Sequence, residues 1–286
     1  METSTKQSSV SGKSTITSID RHKNLSPKEL LNEYVIPGLP VILTEAALQW
    51  KAMKKWTPEF FKTKYGHLER EVKGGKKVKL GDYMEMMFHS TDENPSPYPY
   101  NYDIFHYFPE LLEDIKPTLL FGKMDRLSHP LLPKSMLLRT HAHELHIGGR
   151  GGSFPLHFDT MFLHTQQTQI LGDKEYYFFS PDQSEFLYPE EENPTKSKLK
   201  HVFNVDLEKF PLYKNAKPIH ATVHIGETLF FPTQWWHTTY IPIPSITYGR
   251  SHLNTYNYKN YLKDYKEFFE KKQPAKTRIL YTYGKM

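Results

Sequence analysis

His157-Phe158-Asp159 sets an imidazole and a carboxylate two residues apart, and a strand there would throw both side chains onto one face toward a common point. Such a pair can clamp a divalent metal. Among 15 His a lone pair of this kind carries little weight, so the question is whether a third ligand exists. It stands far along the chain, at the end of Gly226-Glu227-Thr228-Leu229-Phe230-Phe231-Pro232-Thr233-Gln234-Trp235-Trp236-His237. That stretch reads as a turn, a buried strand, a proline-closed corner and a His directly behind two large aromatics. In a barrel of antiparallel strands, a His entering a late strand lies opposite an early one. His237 then completes two imidazoles and one carboxylate on one side of a metal, a set that suits Fe(II) with three positions open for a bidentate co-substrate and O2.

A second His-rich stretch, His141-Ala142-His143-Glu144-Leu145-His146, resists the same reading. On a strand His141 and His143 share a face while His146 points away, so the three cannot converge. The spacing is not that of a helical zinc-protease motif either. The stretch reads as a strand leading into the barrel, and Gly148-Gly149-Arg150-Gly151-Gly152 as a flexible turn.

The elements that must position these ligands are mainly β. From about Met136 onward short apolar or alternating runs are separated by Gly, Pro, Asp and Asn, as a sandwich or barrel requires. Strands are predicted over Met136–Ile147, Phe154–Asp159, Thr165–Leu171, Glu175–Ser180, Ala221–His224, Thr228–Pro232, His237–Ile241 and Ser245–His252. That makes eight, the number a jelly roll needs. Upstream, Ser26-Pro27-Lys28-Glu29 and Thr57-Pro58-Glu59 carry N-cap chemistry and open helices. Helical segments are also predicted over Lys79–His89, Pro109–Ile115 and Tyr258–Lys272, with a short strand at Gly38–Thr44. A loop over Thr91–Pro99 delivers Tyr98, Tyr100 and Tyr102.

The predicted fold is therefore mainly β with helical decoration: a double-stranded β-helix (cupin, jelly roll) with N-terminal helices and a C-terminal helix. The organisation reads as a disordered N-terminus (1–18), a helical and mixed cap (19–135), the β core (136–255) with an insert (181–218), and a helical tail (256–286). At 286 residues the chain can bury a large core without disulfides, and it has no cysteine, which removes thiolate ligands and fits a reducing, cytoplasmic compartment. Mean hydropathy of -0.64 and the absence of any apolar run near about 20 residues exclude a membrane-spanning protein. The net charge of +5 gathers in lysines over 51–79 and 259–276, read as solvated faces of helices. The C-terminal helix could pair two chains as a homodimer.

These motifs resemble the JmjC/cupin-like Fe(II)- and 2-oxoglutarate-dependent oxygenases, especially the branch of asparaginyl and lysyl protein hydroxylases. The resemblance runs through Leu39-Pro40-Val41-Ile42, His157-Phe158-Asp159, Gly172-Asp173-Lys174, Tyr176-Tyr177-Phe178-Phe179-Ser180-Pro181, Asp206-Leu207-Glu208-Lys209-Phe210-Pro211 and the block ending at His237. It implies that Lys174 pairs with the distal carboxylate of 2-oxoglutarate and that Tyr100 hydrogen-bonds the same co-substrate. The chain departs from the family where Phe154 replaces a Thr and Ser251 an Asn, so Thr165 or Gln167 are the alternative donors. The implied chemistry uses O2 and 2-oxoglutarate to hydroxylate a C–H bond of a protein or peptide, with release of succinate and CO2. Variants are N-methyl demethylation, hydroxylation of a small metabolite or RNA nucleoside, and an inactive cupin serving as a binding module.

Overall fold

The computed structural model describes residues 16–119 and 143–285; most of the predicted N-terminal tail, and the segment where the first barrel strand is predicted to begin, lie outside the described residues. The N-terminal part runs β1 (Asp20–His22), α1 (Pro27–Leu30), β2 (Val41–Leu43), α2 (Ala52–Lys55), α3 (Pro58–Tyr65), β3 (Glu69–Glu71), β4 (Lys77–Lys79), α4 (Leu80–Met86), β5 (Tyr100–Asp103) and α5 (Ile104–Tyr107). The β core follows as β6 (Glu144–Gly148), β7 (Ser153–His157), β8 (His164–Leu171), β9 (Lys174–Phe179), β10 (Ile219–Val223), β11 (Thr228–Phe231), β12 (Trp236–Tyr240) and β13 (Ser245–His252). Two helices close the chain, α6 (Tyr258–Phe269) and α7 (Pro274–Lys285).

The helix starts follow the cap chemistry of the sequence. Ser26 and Glu29 close a reciprocal box, with Glu29 N donating to Ser26 Oγ at 3.3 Å and Ser26 N to Glu29 Oε2 at 2.8 Å. Thr57 Oγ1 accepts from Phe60 N at 3.1 Å, and Pro58 occupies the first helical turn of α3. Pro109–Glu113 is a five-residue 3-10 turn instead of an α-helix, entered from Phe108 at φ -143°. Helix α7 falls within the helical tail predicted over 256–286 but beyond the helix predicted over Tyr258–Lys272, and Pro274 at its start is an ordinary helix-opening signal.

Strands β6 to β13 split between two facing sheets, and this is the expected double-stranded β-helix. The large sheet has the order β1-β2-β11-β8-β13-β6-β5 and the small one β10-β9-β12-β7. Between them Ile42 and Leu229 of the large sheet pack on Tyr176 and Phe178 of the small one. The opposite face of the large sheet, through Leu145, Ile147, Ile246 and Tyr248, packs against Trp50, Trp56, Phe61 and Tyr83 of the helical cap. The insert lies on the small sheet, where Leu187, Leu199 and Val202 cover Leu156, Phe179 and Trp236. The cavity between the sheets is lined by residues of β6, β7, β8, β9, β11, β12 and β13, among them His157 and His237.

Candidate metal centre

His157 at the end of β7 and His237 near the start of β12 are direct cross-strand partners, with ring centroids 4.2 Å apart. The ladder slips between His237 and Thr239, a bulge that re-aims β12 beside the site. Asp159 is not on the strand: β7 stops at His157, and beyond Asp159 the chain turns through Met161 and Phe162, both left-handed. Asp159 Oδ1 then lies 3.6 Å from His157 Nε2 and 4.0 Å from His237 Nε2. One ligand atom from each of the three residues lies within 4.8 Å of the others.

The protonation pattern suits a cation. His157 Nδ1 donates to Pro155 O at 2.9 Å and His237 Nδ1 to Trp235 O at 3.0 Å, so both Nε2 lone pairs turn inward. Burial pushes the Asp159 carboxyl up, but the His157 hydrogen bond, the charges of both imidazoles and the Thr165 hydroxyl outweigh it and hold it well below the ordinary carboxylate range. His237 is lowered to about 4, chiefly by burial and then by His157. Two imidazole Nε2 atoms, aimed by backbone carbonyls, and one ionised carboxylate are a facial donor set for a divalent metal such as Fe(II).

The three ligands open into a cavity of about 250 Å³ between the sheets. Lys174, at the head of β9, lines it and is only 4% exposed. Its Nζ donates to Tyr98 Oη at 3.0 Å and lies 5.4 Å from the Tyr176 ring centre. Beside it Tyr176 Oη and Thr239 Oγ1 are buried without a partner of normal hydrogen-bond geometry among the described residues. Burial raises Tyr176 to about 12, which keeps its phenol protonated and able to donate. A buried ammonium flanked by two unspent hydroxyls fits a carboxylate group of an entering ligand.

The remaining sequence-predicted residues divide. Gln167 and Ser251 line the cavity, and Gln167 Oε1 is buried without a partner among the described residues. Thr165 lines it too, and its hydroxyl donates to Asp159 Oδ2. Tyr100 is a correction. It is fully buried in the cap, stacked on Tyr83 at 3.8 Å, with its hydroxyl given to Val78 O at 2.9 Å and joined to Tyr102 Oη at 3.0 Å. The residue that reaches the cavity is Tyr98, two positions earlier. Phe154, in place of the family Thr, lines the cavity with its ring 4.5 Å from that of His157.

Sequence reading also missed Tyr176, Thr239 and the pair Glu144 and His146, which line the cavity from β9, β12 and β6. Strand alternation from Lys174 and from His237 could have found Tyr176 and Thr239. His146 Nε2 lies 3.2 Å from Glu144 Oε2, while His143 is buried elsewhere against Tyr248 Oη at 2.6 Å. The two imidazoles are thus separated as the alternation argument requires; His141 lies outside the described residues.

Eight strands in two sheets, with a His-x-Asp beginning at the end of the second and a His on the seventh, make a cupin barrel that carries a facial set of metal donors. The pattern of the cupin-like domain family matches residues 27–240, and the chain belongs to that family. Its motifs resemble those of the JmjC/cupin-like Fe(II)- and 2-oxoglutarate-dependent oxygenases. Among its relatives are the lysine-specific demethylase JMJ21 of Arabidopsis thaliana, 25% identical over 84% of this chain, and JmjC domain-containing protein D of Dictyostelium discoideum, 27% identical over 74%. HSPB1-associated protein 1 of Bos taurus is 37% identical over 32% of the chain. The chain spans 26%, 51% and 20% of the lengths of these three relatives respectively. No helix among the described residues is long and apolar enough to cross a membrane.

Proposed function

We propose that this chain is a hydroxylase of C–H bonds in a protein or peptide side chain that depends on Fe(II), 2-oxoglutarate and O2. The single observation that carries the reading is the convergence of His157, Asp159 and His237 at one end of a cavity whose lining also includes the buried Lys174. Bound Fe(II) supplies oxygen activation coupled to oxidative decarboxylation of 2-oxoglutarate, sending one oxygen atom into succinate and the other into the substrate C–H bond. The protein's share is geometry and dryness. His157, Asp159 and His237 would hold the metal, and the keto-acid end of the co-substrate would bind at the positions they leave open. Lys174, with Tyr98, Tyr176 and Thr239 around it, takes the distal carboxylate. Phe154, Leu163 and Phe231 line the cavity as apolar wall and limit water beside the reacting atoms.

A second reading is favoured by the names of the relatives, several of which are lysine-specific demethylases. The same hydroxylation placed on an N-methyl group yields a carbinolamine that releases formaldehyde. Selectivity for substrate falls to the insert over 181–218, which reaches the metal strand itself: Thr195 O accepts from Phe158 N at 2.9 Å.

The test is an anaerobic titration with Fe(II) and 2-oxoglutarate followed by admission of O2 and assay of succinate, for wild type and His157→Ala. Succinate should form with wild type and fall to background with the variant. Equal succinate from both would remove His157 from the site. Formaldehyde released from methylated peptides in the same assay would favour demethylation over stable hydroxylation.

A further inference from the structure

Met161 (φ 64°) and Phe162 (φ 51°) are consecutive, non-glycine and left-handed, two and three residues beyond Asp159. Side chains with a Cβ disfavour this conformation, and it persists only where the surroundings hold it. Thr160, Met161 and Leu163 of the same turn line the metal cavity, so whatever holds the turn shapes the site.

The holding groups come from the C-terminal segment. Asn257 is the N-cap of α6, a position where Asn normally accepts from its own helix, yet its side chain makes no cap hydrogen bond. It reaches outward instead. Its Nδ2 donates to Phe162 O at 2.8 Å and to His252 O at 3.0 Å, while its Oδ1 accepts from Asn254 N at 2.7 Å. At 2% exposure, both amide protons and the carbonyl oxygen of Asn257 are engaged inside the protein. Farther along α6 the half-buried Asp264 carboxyl lies beside the Met161 backbone. The Met161 side chain inserts among Leu253, Tyr258, Tyr261, Leu262 and Tyr265. Met161 thus packs on the apolar face of α6.

We infer that Asn257, assisted by Asp264, is a positioning residue for the metal centre: it locks the 160–162 turn in its left-handed form and thereby presents Asp159 to the metal. It touches neither metal nor co-substrate. The inference rests on the reading of His157, Asp159 and His237 as metal ligands. Supporting groups one step removed from a ligand typically shift metal affinity by about 10-fold to 100-fold.

The experiment uses the full chain stripped with a chelator and titrated with Mn(II), read by the EPR signal of free Mn(II), together with the visible spectrum of the Co(II) form. Asn257→Ala should raise the Mn(II) Kd by about 10-fold and alter the Co(II) bands. Adding Phe162→Gly should recover much of that affinity, because glycine adopts the left-handed form without the clamp. A general loss of stability would not be rescued in this way. Tyr100→Phe, which weakens the distant cap, is the control and should leave Kd and spectrum unchanged. Wild-type Kd and spectrum in Asn257→Ala, or an equal loss in Tyr100→Phe, overturns the inference while leaving the metal site in place. Failure of wild type to bind either ion overturns the site reading itself. Should Asn257→Ala not fold, Asn257→Ser retains one donor; an intermediate Kd is then expected, and an unchanged Kd overturns the inference.

Discussion

Thr165 donates its hydroxyl to Oδ2 of Asp159, which leaves Oδ1 turned toward both imidazoles. The carboxylate is thus offered through one oxygen, with the other held by β8 of the opposite sheet.

Replacing Thr165 by Val keeps the shape and removes the donor. We expect metal affinity to fall by about 10-fold, with Thr165→Ser close to wild type. Calorimetric titration with Mn(II) decides the matter, and equal Kd for Val and wild type would show that Asp159 needs no such support.

Lys174→Met removes the buried ammonium while leaving the metal ligands untouched. A hydrogen bond to a charged group contributes about 1.5–3 kcal/mol, so the KM for 2-oxoglutarate should rise by roughly 10-fold to 100-fold with the metal Kd unchanged. An unaltered KM would exclude Lys174 from co-substrate binding.

Tyr98 and Tyr100 should behave oppositely. Tyr98→Phe takes away the hydroxyl that meets Lys174 and should raise the 2-oxoglutarate KM with little change in thermal stability. Tyr100→Phe breaks buried hydrogen bonds to Val78 and Tyr102, which costs about 1–2 kcal/mol of stability, and should leave the KM alone. Steady-state kinetics beside thermal melts of both variants separates the two roles, and a KM effect confined to Tyr100→Phe would reverse the assignment.

Acid should destabilise the metal-free protein through its buried imidazoles. Burial lowers His143 to about 3 and His164 to about 4, and it holds His252 well below its usual range. An imidazole in the unfolded chain titrates near about 6.5, so below that pH the unfolded state binds protons that the native state refuses. The stabilisation is complete above about pH 6.5 and is lost as pH falls toward 4, with up to about 2 kcal/mol for each group at pH 5. Melts in a chelator should show Tm dropping between pH 7 and pH 5. A flat profile over that interval would contradict the burial of these groups.

Much of this protein could be read from its residues. Periodicity and turn residues announce the β core from Phe154 onward, because alternation at a spacing of two records which face each side chain takes. The three ligands were legible for the same reason: only His, Asp and Glu can serve in a chain without cysteine, and His237 sits behind an unmistakable Gly-Glu-Thr-Leu-Phe-Phe-Pro corner. What the tertiary structure alone decided lies where no period operates. Tyr98 and Tyr100 differ by two positions on a proline-rich loop that flows into β5, and only its docking against the cap buries one and exposes the other to the cavity. Asp159 reaches the metal through a turn clamped by Asn257, some hundred residues away, and Thr165 turns to that carboxylate because β8 crosses beneath it. Side-chain type and spacing are local properties of a chain; the partner a hydroxyl or amide finally meets is set by which distant backbone packs against it.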